Sequence, residues 1–151
     1  MGREYKLIRE QWVPQSIEAA FAFFSRPENL QAITPGWLDF RIVSVDAELR
    51  TGSIIKYRLR WHGVPLSWTT EITEWDPPHA FVDTQISGPY ALWRHEHRLT
   101  PENQGTRIRD QVTYALPFGV LGHITHQLFV RRDVESIFDF RQRRLKELLG
   151  E

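Results

Sequence analysis

The segment Trp93-Arg94-His95-Glu96-His97-Arg98-Leu99 carries two histidines at alternate positions. On a strand, successive side chains point to opposite faces. Arg94, Glu96 and Arg98 then share a charged, wet face, and Trp93, His95, His97 and Leu99 share an otherwise apolar one. Imidazole can carry a proton near neutral pH, donate or accept hydrogen bonds, and ligate a metal. A second alternating run follows. Ile108, Val112 and Tyr114 mark its inward face, and Asp110 has the same parity. If Thr100 pairs with Gly105 across a Pro101–Gln104 loop, His95 falls opposite Asp110, His97 opposite Ile108 and Trp93 opposite Val112. The preceding run adds Phe81, Asp83 and Gln85 to the same face if Gly88-Pro89 makes a tight turn.

Three chemistries fit these residues. A buried carboxylate and a buried imidazole can satisfy each other in a polar network that fixes the shape of a sheet. The same groups can be the few oriented polar contacts of an apolar pocket. As an acid–base pair, His95 and Asp110 are the candidate catalytic residues, with Tyr114 or His97 donating to a developing enolate. His-x-His with a carboxylate on an adjacent strand is permissible metal-ligand geometry. Two histidines at that spacing are a weak signal, however, and the expectation is of no metal and no cofactor.

The elements that must position these side chains are legible from periodicity. Tyr5 to Val13 reads as a strand. Ser16 caps a helix from Ile17 to Phe24, with Ile17, Ala20, Phe21 and Phe24 on one side. A second short helix from Glu28 to Ile33 ends at Pro35-Gly36. Six runs of period two follow: Leu38 to Val45, Ser53 to Trp61, a strand through Leu66, Trp68, Thr70 and Ile72, Ala80 to Ile86, Ala91 to Leu99, and Thr106 to Leu116. The short connections predict one antiparallel meander. From His123 to Leu149 the pattern is helical, with Ile124, Leu128, Val134, Phe138, Leu145 and Leu149 near one stripe. His123 and His126 then read as a solvated first turn. Arg131-Arg132, Arg141, Arg143, Arg144 and Lys146 read as a solvated outer face. Gly119 and Gly122 in LPFGVLG serve either turn geometry or an apolar mouth for ligand entry.

Composition narrows the function classes. The chain has 151 residues, 41% hydrophobic and 25% charged, which suits a single domain over residues 1–151 with a real core. Lys plus Arg equals Asp plus Glu at 19 each, so no nucleic-acid partner is expected. With no cysteine there is no disulfide, thiolate metal site or cysteine nucleophile. No apolar run approaches the length of a membrane helix, and the start MGREYKLIRE has no signal-peptide pattern, so a cytoplasmic location is expected. There is no phosphate loop, G-x-S-x-G elbow or HExxH. Aromatic residues reach 13%, with six Trp and nine Phe, more than a small core requires.

The order of elements is strand, two short helices, six strands and a long helix. That order, with Gly88-Pro89-Tyr90 before WRHEH, then GTRIRDQVTYALPFGVLG and a final helix containing IFDFRQRRL, resembles the START-like (SRPBCC) superfamily. These are the helix-grip proteins related to birch-pollen allergens, polyketide cyclases/dehydrases and coenzyme-Q-binding proteins. The resemblance implies an α+β helix-grip fold, a curved antiparallel sheet of about seven strands around a long C-terminal helix. It also implies a cavity between sheet and helix for an apolar small molecule. It carries over no catalytic residues, because the superfamily has no shared catalytic motif.

The leading functional expectation is binding of a hydrophobic ligand: a lipid, a quinone or an aromatic polyketide-like molecule. Trp61, Trp68, Trp93, Phe81, Tyr114 and Phe138 would form much of the wall, and Asp83, His95, His97 and Asp110 would supply polar contacts. The alternative is a cyclase, dehydratase or isomerase using His95 and Asp110 in the same cavity. A third reading is an interaction module contacting partners through Trp12, Trp37 or Trp75, residues that fit ordinary surface packing better. The residues name neither a ligand nor an oligomeric state.

Overall fold

The computed structural model describes residues 3–150. Seven strands form one antiparallel sheet: β1 (Glu4–Val13), β2 (Arg41–Val45), β3 (Ile54–Trp61), β4 (Val64–Asp76), β5 (Ala80–Ser87), β6 (Leu92–Glu102) and β7 (Gly105–Ala115). β2 to β7 run as a meander, and β1 adds beside β7, giving the order β1-β7-β6-β5-β4-β3-β2. β1 and β2 therefore lie at opposite edges. The chain crosses between them through α1 (Ile17–Phe24) and α2 (Pro27–Ala32). Ser16 caps α1, its Oγ accepting from the Ala19 amide at 3.1 Å. Ala20 and Phe21 are buried, with Ile17 and Phe24 packed on the same cluster.

The strand expected to begin at Leu38 begins at Arg41 instead. Gly36–Leu38 makes a turn of 3₁₀ helix, and Asp39 ends it in the left-handed region at φ 44°. Register shifts between Thr69 and Thr70 and between Ile72 and Glu74 break the β4–β5 ladder, and another lies in β2. Such bulges bend a strand and increase its twist, which curls this sheet around the helix.

The β6–β7 hairpin corrects the expected register. Its loop is only Asn103-Gln104, both at positive φ (48° and 62°), and Glu102 pairs with Gly105. Two left-handed residues are what a tight two-residue hairpin requires. His97, not His95, therefore faces Asp110. His95 faces Val112 and Trp93 faces Tyr114. The slip is an even number of positions, so every side chain keeps the predicted face.

The C-terminal helical segment has three parts: α3 (Gly119–Thr125), a π-helical stretch (His126–Val130) and α4 (Arg131–Leu149). Gly122, His126, Val130, Val134 and Phe138 are all buried, at a constant spacing of four. On a straight α-helix each such step drifts about 40° around the axis. The wider π turn takes up part of that drift and keeps these five against the sheet. Val130, Val134 and Phe138 pack with Leu7, Val112 and Tyr114.

The stripe expected through Ile124 and Leu128 is thus wrong for that half: they are 48% and 62% exposed. Phe118, Val120, Leu121 and Phe129 are exposed beside them. His123 and His126 are not a solvated turn either. His126 is buried with Nε2 2.8 Å from the Tyr114 hydroxyl, and His123 Nδ1 bonds the Tyr5 hydroxyl. The far end of α4 is tied to β1, where Gln11 Nε2 donates to the Gln142 carbonyl at 2.8 Å.

Trp12 and Trp37 are exposed, and Trp75 packs half-buried on Phe21 and Phe81. Among the described residues no helix is long and apolar enough to cross a membrane.

Candidate functional site

A cavity of about 470 Å³ lies between the concave sheet and α4. β3 and β4 place Tyr57, Trp61, Trp68 and Thr70 in its wall, and β6 places Trp93. Trp68 stacks on Tyr57 at 5.8 Å and meets the Trp93 edge at 5.4 Å. Asp133 joins the wall to the helix: its Oδ2 accepts from Trp61 Nε1 at 2.7 Å and His62 Nε2 at 3.0 Å. Pro117, Phe118, Gly122 and Thr125 line the cavity near the start of α3. Phe118 and Gly119 both have positive φ there, and a Cβ on Gly122 would sit 2.2 Å from the Pro117 carbonyl oxygen. Only glycine allows that approach.

One side of this apolar space is polar. In the β5–β6 register Asp83 lies opposite His95 and Phe81 opposite His97. The two imidazoles stack at 3.6 Å between centroids, and Phe81 covers the outer face of His97 at 3.9 Å. Each ring sits between two carboxylates. Asp83 Oδ2 is 2.8 Å from His97 Nε2 and 3.9 Å from His95 Nδ1. Asp110 Oδ1 is 2.8 Å from His95 Nε2 and 3.4 Å from His97 Nδ1. Asp110 reaches His95 diagonally, across two positions of the ladder, a distance that long side chains span.

A fifth member was not expected. Arg141 is only 5% exposed, and its Nη2 lies 3.3 Å from both Asp110 Oδ1 and His97 Nδ1. Its guanidinium also rests on the rings of Phe24 and Phe138. The sequence reading put Arg141 on the solvated face because its neighbours are basic. The signal that finds it is spacing: Val134, Phe138, Arg141 and Leu145 form one helical stripe, and Arg141 is its only charge.

Burial would raise the Asp110 carboxyl, but Arg141 beside it and the hydrogen bond from His95 hold it well below the carboxylate range. Asp83 is likewise lowered: the His97 hydrogen bond and nearby positive charge outweigh its burial. His95 moves the other way. Burial, helped by the neighbouring His97, lowers it to about 4 against the pull of Asp110 and Asp83. At neutral pH the cluster therefore holds two carboxylates, one guanidinium and a neutral His95.

Of the ten residues singled out from the sequence, Trp61, Trp68, Phe81, Asp83, Trp93, His95, His97 and Phe138 line the cavity. Asp110 and Tyr114 do not. Asp110 stands behind the histidines with Arg141. Tyr114 is 3% exposed, its hydroxyl committed to His126 and burial pushing it up to about 12. Among the described residues, Asp83, His95 and His97 bring one potential metal-ligand atom each to within 4.8 Å of one another.

A curled antiparallel sheet gripping a C-terminal helix, with two short helices after the first strand, defines the helix-grip class of the START-like (SRPBCC) superfamily. Within it, the chain belongs to the family described as "Polyketide cyclase / dehydrase and lipid transport", whose pattern it matches over residues 13–137. No curated protein matches it in sequence. Protein CV1439 from Chromobacterium violaceum superposes with a TM-score of 0.76 at 13% identity, over 97% of each chain. Protein Ms6760 from Mycobacterium smegmatis gives 0.70 at 18% identity, over 95% of this chain and 90% of that one. The major latex-like protein 151 of Panax ginseng gives 0.60 at 16% identity, over 89% and 97%. At these identities the likeness is one of fold. The family and fold go with binding of hydrophobic ligands.

Proposed function

We infer that the protein binds a hydrophobic small molecule with one polar end, of the lipid, quinone or aromatic polyketide-like kind, between the sheet and α4. The observation that carries this reading is an open, aromatic-walled cavity with an ordered polar cluster on one side. A close-packed interior leaves few voids larger than a water molecule. A ligand that loses about 300 Å² of apolar surface gains roughly 7 kcal/mol before association costs of several kcal/mol. Two lining residues also carry buried polar atoms without a protein partner, Trp68 Nε1 and Thr70 Oγ1. They suit a ligand that bears hydrogen-bond acceptors. Native mass spectrometry of protein purified from its own cells is expected to show a retained apolar mass. Titration with a panel of lipids, quinones and polycyclic aromatics is expected to quench tryptophan fluorescence at micromolar concentrations. Silence in both experiments refutes the reading.

The His95–Asp110 hydrogen bond supports a second reading, acid–base catalysis in the same cavity. Asp110 fixes the ring, and neutral His95, lining the cavity, is the group placed to accept a substrate proton. Of the two expected enolate donors, Tyr114 or His97, only His97 lines the cavity, and its donation to an enolate requires that its Nε2–H leave Asp83. The reading requires that His95→Ala abolish turnover of a cyclisation, dehydration or isomerisation substrate while substrate analogues still bind.

A further inference from the structure

We propose that Asp83, His95 and His97 form a binding site for a divalent transition-metal ion on the cavity wall. The proposal stands apart from the choice of organic ligand. One ligand atom from each residue lies within 4.8 Å of the others. Metal bonds of about 2.0–2.2 Å in tetrahedral geometry place ligand atoms roughly 3.4 Å apart. The Asp83 Oδ2 distances to His97 Nε2 and His95 Nδ1, 2.8 and 3.9 Å, straddle that spacing. Small rotations of the three side chains, including some unstacking of the two rings, bring all of them to bonding distance. They project from paired positions of two neighbouring strands, not from loops.

The surroundings also have the form a metal site needs. A ligating histidine usually gives its second N–H to a carboxylate, which fixes the tautomer and the ring. Here one oxygen, Asp110 Oδ1, faces the second nitrogen of both rings, at 2.8 and 3.4 Å. Arg141 anchors that oxygen at 3.3 Å. With both protons on the Asp110 side, both lone pairs face Asp83. Two carboxylates against one guanidinium leave one uncompensated negative charge when the imidazoles are neutral. A buried uncompensated charge is costly, and a cation offsets it. Without metal, the His97 Nε2–H donates to Asp83 and Arg141 donates to His97 Nδ1. Metal binding at Nε2 therefore requires the other His97 tautomer: the proton lost from Nε2 is matched by one taken up at Nδ1, whose N–H then turns from Arg141 to Asp110. Three protein ligands leave at least one coordination position open, and all three residues line the cavity. Two imidazoles with one carboxylate suit Zn²⁺, Co²⁺, Ni²⁺ or Fe²⁺ better than Ca²⁺ or Mg²⁺.

The test is titration of the chelator-treated full-length protein with Co²⁺ and Zn²⁺. The expected result is one saturable site per chain, with the visible absorption of low-coordinate Co²⁺. Asp83→Asn and His97→Ala are each expected to weaken binding at least about tenfold, and Asp110→Asn, through the outer shell, about 10–100-fold. Replacing the exposed pair His62→Ala/His79→Ala is expected to leave it unchanged. Circular dichroism checks that each variant folds. X-ray absorption on the wild-type zinc complex needs no variant, and two imidazoles are expected among its ligands. No saturable binding below about 1 mM free metal overturns the proposal. So does a zinc shell without two imidazoles, or a site lost only in the His62/His79 variant.

Discussion

At the scale of single residues, Arg141 decides whether Asp110 can be charged inside the protein. Removing one partner of a buried ion pair leaves the other unpaired, at a cost of about 3–5 kcal/mol. Arg141→Met is expected to lower urea-denaturation stability at pH 7 by roughly 3 kcal/mol. A loss under about 1 kcal/mol would show that Asp110 finds its compensation elsewhere. His95 predicts a pH dependence. Its pKa is lowered to about 4 in the folded protein, against about 6.5 unfolded. Between those values the unfolded chain binds more protons, so stability falls as pH falls through that window. The full effect is on the order of 3 kcal/mol, reached near pH 4. His95→Gln is expected to flatten the stability curve from pH 6.5 to 4, and a curve as steep as wild type contradicts the buried neutral imidazole. The sequence disclosed the facing of His95, His97, Asp83 and Asp110 because alternation survives an even register slip. It disclosed Arg141 only to a reading that followed position instead of charge.

At the scale of elements, boundaries were legible wherever a local signal was strong. Ser16 capped α1 as expected, and the meander followed from period two. The errors fall where backbone conformation overrode pattern. Asn103 and Gln104 take left-handed conformations that make the hairpin loop shorter than the Pro-containing sequence suggested. The π stretch rotates α3 so that Gly122 and His126, not Ile124 and Leu128, face inward. No side-chain periodicity of a straight helix contains that rotation. Gly122 gives a test at this scale. Its missing Cβ is required by a backbone oxygen, which cannot step aside as a flexible side chain can. Gly122→Ala is expected to destabilise by about 1–3 kcal/mol. Gly36→Ala, with open space around it, is expected to change stability by less than about 0.5 kcal/mol. Equal melting temperatures for the two variants would contradict the close approach of α3 to Pro117.

At the scale of the whole molecule, the fold makes a sheet too curved and a helix too narrow to fill the space between them. Surplus aromatic content pointed to that space; its volume and the partition between wall residues and residues behind the wall came only from three-dimensional packing. Thr70 gives a way to close the space without breaking the fold. It is buried, its hydroxyl has no protein partner, and it lines the cavity. Thr70→Phe is expected to weaken binding of any organic ligand at least tenfold, about 1.4 kcal/mol. The melting temperature should stay near wild type, because the new ring enters free volume. Undiminished affinity would place the ligand elsewhere. The exposed face of α3 and the π-helical stretch has its own bearing on handling. Phe118, Val120, Leu121, Ile124, Leu128 and Phe129 all face water. Strongly hydrated salts such as ammonium sulfate raise the cost of wetting such surface. This protein should therefore be retained on a phenyl resin and salt out early, and replacing Phe118 and Leu121 with serine should delay both.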